Sequence, residues 1–305
     1  MEYILLLTTV IFGGLRSVLT KLSTKDKSFF VKTKINSGIF LIGFVTILIV
    51  GIPFFNTIFE VPWALTIVYA ISMVLAQVFL MLAFEFGSVS LSSLIYNCSF
   101  IIPTLFGSVY YYEKVSFLHI VGILLIVLSF GLSVKTEDRK CGIKWFLISI
   151  TSCLFSGSLG CFQKMLKFEY PNVKVENFVQ VSFFFMLIIS LFIVLLIWFI
   201  KRKKHIEKEE EFEHNGFSLK KIQWKYLVFI VATGVIMGLM NSINVFLAGA
   251  LPSVVVFPSV NGGGIVATTI LSIIIFKEKT TKKQKLALLF GVCGILAIGF
   301  GSLLV

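Results

Sequence analysis

The chain has 305 residues, 57% hydrophobic and 14% charged, with a mean hydropathy of +0.99 and a formal net charge of +12. A water-soluble domain is about 45–50% apolar and about 25% charged, so a fold with water as its only solvent is excluded. The ionisable residues cluster between apolar runs of about 20 residues, the length that crosses a hydrocarbon core of about 30 Å as a helix. The positive surplus is therefore juxtamembrane charge, and the expected partner is a lipid bilayer, not a nucleic acid.

The first ten residues, MEYILLLTTV, lack the basic region that precedes the apolar core of a cleavable signal peptide. They are expected to open the first spanning helix. In chain order, the apolar runs predict ten spans near residues 3–22, 35–55, 64–84, 88–112, 116–134, 143–166, 177–200, 226–249, 253–276 and 285–305. The sizeable piece outside them, 201–225, begins KRKKHIEKEEEFEH and suits a solvated loop. Cys98, Cys153, Cys161 and Cys293 fall in apolar runs and Cys141 in a short loop, without paired spacing, so they read as small packing residues.

The two halves correspond. A shift of 165 residues lays Glu113-Lys114 on Glu278-Lys279, Ala83 on Ala248, Ser88-Val89 on Ser253-Val254 and Thr104 on Thr269. The first and sixth spans match at a shift of 143, which lays Thr8 on Thr151, Phe12 on Phe155, Gly14 on Gly157 and Lys21 on Lys164. Residues 1–140 and 141–305 thus read as two five-helix units. Because five is odd, the second unit must cross in the opposite sense to the first, the inverted-topology repeat of many secondary transporters. The expected fold class is an all-α integral membrane protein of ten transmembrane helices in two inverted five-helix repeats.

FGGLRSVLTK at Phe12–Lys21, the stretch from Leu82 to Gly122 with its Pro103 and Glu113, and LAGALPSVVVFPSVNGGGIVATTILSIIIFKEK at Leu247–Lys279 resemble the drug/metabolite transporter superfamily, in particular its ten-helix proteins with two EamA-type domains. The resemblance covers almost the whole chain. It departs at Phe12 and Phe155, where the family often has Trp, and at Ala287, where Gly is usual. It implies a permease with a central cavity faced by the third and eighth spans among others, and both termini in the cytoplasm. Lys and Arg point the other way. Of the 27, 22 lie in the loops after odd-numbered spans, 4 lie on the opposite side, and Arg16 lies inside a span. The positive-inside rule then places the odd-numbered loops in the cytoplasm and both termini outside, in what is expected to be the plasma membrane.

Enzymatic chemistry lacks residues. His119, His205 and His214 form no pair at metal-ligand spacing, no Asp or Glu lies within a span away from its ends, and the Ser residues of FSGSLG have no visible base. No catalytic residue, metal or cofactor is expected. Glu85, Glu113 and Glu278 close helices and read as caps and interfacial anchors.

Transporter sites of this construction sit where corresponding helices are interrupted by Gly or Pro near the midplane. The fourth span carries YNCSFIIP at Tyr96–Pro103 and the ninth PSVNGGG at Pro258–Gly264. Tyr96 overlays Asn261 and Asn97 overlays Gly262, so both halves supply polar groups at one depth. Asn97 and Asn261 read equally as cavity groups or as interhelical hydrogen-bonding groups. Gln77, Asn241, Ser242 and Asn244 widen the polar set, while Gly234 and Gly238 read as points of close helix approach. Arg16 is either a fixed cation for an anionic or zwitterionic solute or a side chain snorkelling toward Lys21. The candidate substrate-binding residues are Arg16, Gln77, Tyr96, Asn97, Asn241, Asn244 and Asn261. The reading is a secondary transporter of a small organic solute (a metabolite, amino-acid-like compound or drug) working by alternating access. Its rival is a non-transporting receptor or scaffold, which would carry binding groups in its loops. A homodimer is compatible with either.

Overall fold

The computed structural model describes residues 1–24, 27–52, 60–133, 142–206, 224–276 and 282–302. Glu278-Lys279, Cys141 and most of the charged segment near 201–225 lie outside the described residues. Those described form helices α1 Glu2–Thr24, α2 Phe29–Gly51, α3 Trp63–Phe86, α4 Val89–Asn97, α5 Ile101–Tyr110, α6 Phe117–Ser133, α7 Ile143–Glu169, α8 Val175–Ile206, α9 Trp224–Ala250, α10 Ser253–Phe276 and α11 Lys282–Gly301, with no strand. A three-residue 3₁₀ turn, Cys98–Phe100, joins α4 to α5. Lipid offers the backbone no hydrogen-bond partners, so spanning segments satisfy their N–H and C=O groups internally as helices.

Nine of these spans, with α4 and α5 counted as one, are long and apolar enough to cross a membrane, and Phe117–Leu132 adds a shorter apolar helix. The apolar side chains on their outer faces are exposed in the manner of a lipid-facing surface. On α8, Ile188, Leu191, Phe192, Leu195 and Phe199 recur at helical spacing and are all exposed. The chain is a multi-pass, all-helical membrane protein.

Two boundaries differ from the hydropathy reading. The predicted second span starts at residue 35, but α2 starts at Phe29, because its basic residues find partners: Lys32 Nζ lies 3.3 Å from Glu85 Oε1 and Lys34 Nζ 4.3 Å from the Phe30 ring centroid. At its far end α8 runs to Ile206, with Arg202 stacked 5.3 Å over Trp198. A third difference concerns the ninth span. Its Pro and Gly content predicts an interruption, yet α10 is continuous from Ser253 to Phe276 with Pro258 inside. Pro258 falls in the second turn and withholds a single backbone donor. Two of the three following glycines have close neighbours: a Cβ on Gly262 would lie 3.0 Å from Ile126, and one on Gly263 2.7 Å from Val10, whereas one on Gly264 would meet nothing within 4 Å. Among the described residues only the fourth span is interrupted, by the 3₁₀ turn Cys98–Phe100.

Two apolar clusters flank the centre. Phe40, Tyr69, Val74, Leu166, Phe178, Phe183 and Met237 join α2, α3, α7, α8 and α9, while Leu6, Phe100, Ile126, Phe130, Val255 and Ile298 join α1, α6, α10 and α11 with the 3₁₀ turn. Small residues let the backbones meet. α2 and α9 touch where Gly234 faces Ile42 and the Ile39 carbonyl, and Gly238 faces the Gly43 carbonyl. α6 and α11 cross at Gly122 and Gly294, where a Cβ on either would lie 2.7 or 2.8 Å from the other's carbonyl oxygen. About two turns along from that crossing, Ser129 Oγ donates to the Ala287 carbonyl at 2.6 Å.

Candidate functional site

Between the two apolar clusters lies a cavity of about 120 Å³, walled by α1, α3, α4, the 3₁₀ turn, α5, α7, α9 and α10. Helices from both halves of the chain contribute. Arg16 is its charged wall residue, and Tyr96, Asn241, Asn244 and Asn261 stand in the same wall.

Five of the seven candidate residues therefore come together, and two do not. Gln77 Nε2 donates to Tyr96 Oη at 3.4 Å and lines a second cavity of about 30 Å³. Arg16 lines that second cavity too, which continues past Thr20 and Asn36 to Thr24 and Lys32. The eight residues from Arg16 to Thr24 cover about 12 Å of depth. Asn97 sits outside the wall, at the end of α4, where its Nδ2 donates to the Ser93 carbonyl at 2.7 Å. Asn261 likewise donates to its own helix, to the Phe257 carbonyl at 3.0 Å, but keeps its place on the cavity.

Other polar residues of the wall stand out only in three dimensions. Gln163 Nε2 donates to Tyr69 Oη at 3.0 Å, Tyr69 Oη donates to Asn241 Oδ1 at 2.9 Å, and Asn241 Nδ2 donates to the Met237 carbonyl at 2.9 Å. This relay ties α7 to α3 and α3 to α9 across the two halves. Each member satisfies a polar group that would otherwise cost free energy in an apolar interior. Gln163 is a polar residue inside an apolar run, the same signal that singles out Gln77; Tyr69 carries no such signal. Ser99 and Ser156 pair at 3.0 Å where Gly157 brings α7 against the 3₁₀ turn.

At the end of the bundle away from Thr24 and Lys32, outside the residues that wall the cavity, lies a polar cluster. Lys164 on α7 forms an ion pair with Glu113 and donates to the Leu251 carbonyl at 3.1 Å. The other Glu113 oxygen accepts the Ser253 backbone N–H at 2.7 Å, at the start of α10, where the helix dipole favours an anion. Tyr112 makes this geometry. At φ 53° it takes the left-handed conformation, so that the Glu113 N–H returns to the Gly107 carbonyl at 3.3 Å and the carboxylate points at α10. Gly107 is required for the approach, since a Cβ there would lie 2.2 Å from Ser253 Oγ. Nearby, Tyr111 Oη donates to Glu169 Oε1 at 3.2 Å, and burial together with that carboxylate holds the phenol above its ordinary range.

Among the described residues no three of His, Cys, Asp and Glu lie close enough together to hold a metal ion. His119 accepts the Ser116 amide at Nδ1 at 3.1 Å and packs beneath Gly301.

No protein-family model matches the chain, and no curated protein is similar to it in sequence. A solved protein crystal structure superposes over 98% of this chain and 97% of its own, with a TM-score of 0.72 and 14% sequence identity. At that identity the likeness concerns the fold alone, and it covers that fold nearly end to end.

Proposed function

We propose that this protein is a secondary transporter of a small organic solute, built on the plan of the drug/metabolite transporters with two EamA-type units, and that it works by alternating access. The observation that carries the reading is the asymmetry around Arg16. The main cavity is walled by both halves of the chain, and the Glu113–Lys164 ion pair and the start of α10 join the halves on the side away from Thr24, while a second cavity runs from Arg16 toward Thr24 and Lys32. A polar chamber at mid-depth, with a second cavity leading toward one end and a buried ion pair joining the halves toward the other, fits one state of an alternating-access cycle.

The packing supports an inverted repeat. α1 packs on α9 and α10, and α7, its counterpart at a shift of 143 residues, packs on α3 and on α4 and α5, the counterparts at 165. The contact of α2 with α9 likewise corresponds to that of α8 with α3. At residue level, the Gly122–Gly294 crossing becomes the Ala287–Ser129 contact under the same shift of 165. Ten spans in two opposed units, in the plasma membrane, follow from this reading.

The test is accessibility from the two sides. Single cysteines at Asn261 and Gln163, in a chain stripped of its five native thiols, should react with impermeant reagents from the Thr24 end when Glu113 and Lys164 are intact. In a Glu113→Gln, Lys164→Gln background they should react from the other end as well. Labelling from one end under every condition would reject alternating access and favour a static receptor.

A further inference from the structure

Arg16 differs from the other intramembrane cations whose contacts are described. Lys32 has Glu85 and Lys164 has Glu113, whereas Arg16 makes no ion pair and no hydrogen bond with any described residue. Arg16 is half-buried on the walls of two cavities; a guanidinium cannot shed its proton, and a charge held inside a membrane span without a partner is costly. Neither cavity that Arg16 lines has an Asp or Glu in its wall. Asn244, in the wall of the main cavity, has a buried Oδ1 that receives no hydrogen bond among the described residues. Wherever the amide is turned, that side chain retains hydrogen-bonding capacity toward the cavity.

We infer that the site takes a small organic monoanion, a short-chain hydroxycarboxylate, with its carboxylate on Arg16 and its hydroxyl on Asn244. The inference rests on the transporter reading for its location and deepens it by naming the substrate class. Charge balance selects the class. One carboxylate brings the chamber to neutrality, a cation raises its charge, a dicarboxylate overshoots, and a zwitterion brings an ammonium group to a wall without a carboxylate. Geometry agrees, because the planar guanidinium fork matches a carboxylate through two parallel N–H···O bonds. Size sets the scale: the chamber of about 120 Å³ is close to the cavity of about 150 Å³ that accepts benzene, so a ligand of about six heavy atoms fits this conformation.

The experiment is thermal stabilisation of the purified full-length protein by named probes: lactate, glycolate and 3-hydroxybutyrate against lactamide, alanine, ethanolamine, malonate, inorganic phosphate and phosphatidylglycerol. Saturable stabilisation is expected with the hydroxycarboxylates and not with the neutral amide, the zwitterion or the cation. Arg16→Gln should weaken lactate binding by about tenfold or more, as loss of charge-assisted hydrogen bonds implies. Should that variant fail to fold, Asn244→Asp retains Arg16 and supplies an internal carboxylate, and it should weaken lactate binding to a similar degree. The inference is overturned if no hydroxycarboxylate stabilises the protein, if lactamide equals lactate, if phosphate or phosphatidylglycerol is the stronger stabiliser, or if the folded variants keep wild-type lactate affinity. Lactate counterflow in liposomes separates the two readings. Binding without counterflow rejects transport and leaves the ligand class standing, whereas counterflow of a neutral or cationic solute that Arg16→Gln does not alter rejects the ligand class alone.

Discussion

Lys164 and Glu113, 51 residues apart in sequence, form an ion pair in which the two side chains are 2% and 11% exposed. The pair joins α7 of the second half to the chain just after α5 of the first, and through Ser253 it also holds the start of α10. Glu113 is thus more than a terminal anchor of its own helix. It caps a helix of the other half, and its partner is a lysine that hydropathy places at the edge of a span.

This pairing makes a stability prediction. Glu113→Gln keeps an acceptor for the Ser253 N–H but strands the Lys164 ammonium in the interior, and breaking a buried pair on one side costs about 3–5 kcal/mol. Thermal unfolding in detergent should show a large loss for Glu113→Gln, with much of it recovered in Glu113→Gln, Lys164→Met. An unchanged melting temperature for the single variant would mean that solvent reaches the pair.

The crossing of α6 and α11 gives a second. Gly122→Ala places its methyl 2.7 Å from the Gly294 carbonyl oxygen, and backbone cannot move aside as a side-chain tip can. A loss of about 1–3 kcal/mol is expected from overpacking. Gly131→Ala, also on α6, meets nothing within 4 Å and should be neutral or stabilising by up to about 1 kcal/mol, since Ala favours helix. Equal effects at the two positions would show that helix propensity, not contact, governs this pair.

Asn97 and Asn261 should part company when each is replaced by Cys in a thiol-free chain. Asn261 lines the cavity and should label and be protected by lactate. Asn97 bonds back to Ser93 outside the wall, so it should label weakly and show no protection, and Asn97→Ala should cost about 1 kcal/mol of stability. Protection at Asn97 would place that residue on the proposed solute site.

Orientation is checked with fusions. The 22-to-4 distribution of Lys and Arg predicts an extracytoplasmic reporter after Val305 and a cytoplasmic one inserted near Asn215. Cytoplasmic activity at Val305 would invert the topology and turn the end that carries the Glu113–Lys164 pair toward the cytoplasm.

The spans were legible because the cost of an unsatisfied backbone in lipid forces long apolar helices, and about 20 apolar residues have no other common use. Arg16 was legible for the same reason, since a charge inside a span stands out against its neighbours. The interruption of the fourth span was legible at YNCSFIIP. The expectation for PSVNGGG failed because Pro and Gly permit a break without requiring one, and Gly262 and Gly263 pack against α6 and α1 in a continuous helix.

What the sequence determined by itself is the membrane, the number and order of apolar runs, and the presence of a lone intramembrane guanidinium, all of which depend on local composition. The tertiary structure decided which polar groups meet. Tyr69 finds Asn241 across 172 positions and Gln163 across 94, Lys164 rather than open interface receives Glu113, and Asn97 turns back on its own helix while Asn261 faces the chamber. Hydrogen bonds and ion pairs act over about 3 Å, so their partners are set by how helices cross, and that crossing is fixed by small residues such as Gly122, Gly157 and Gly234 whose contacts exist only once the bundle is assembled.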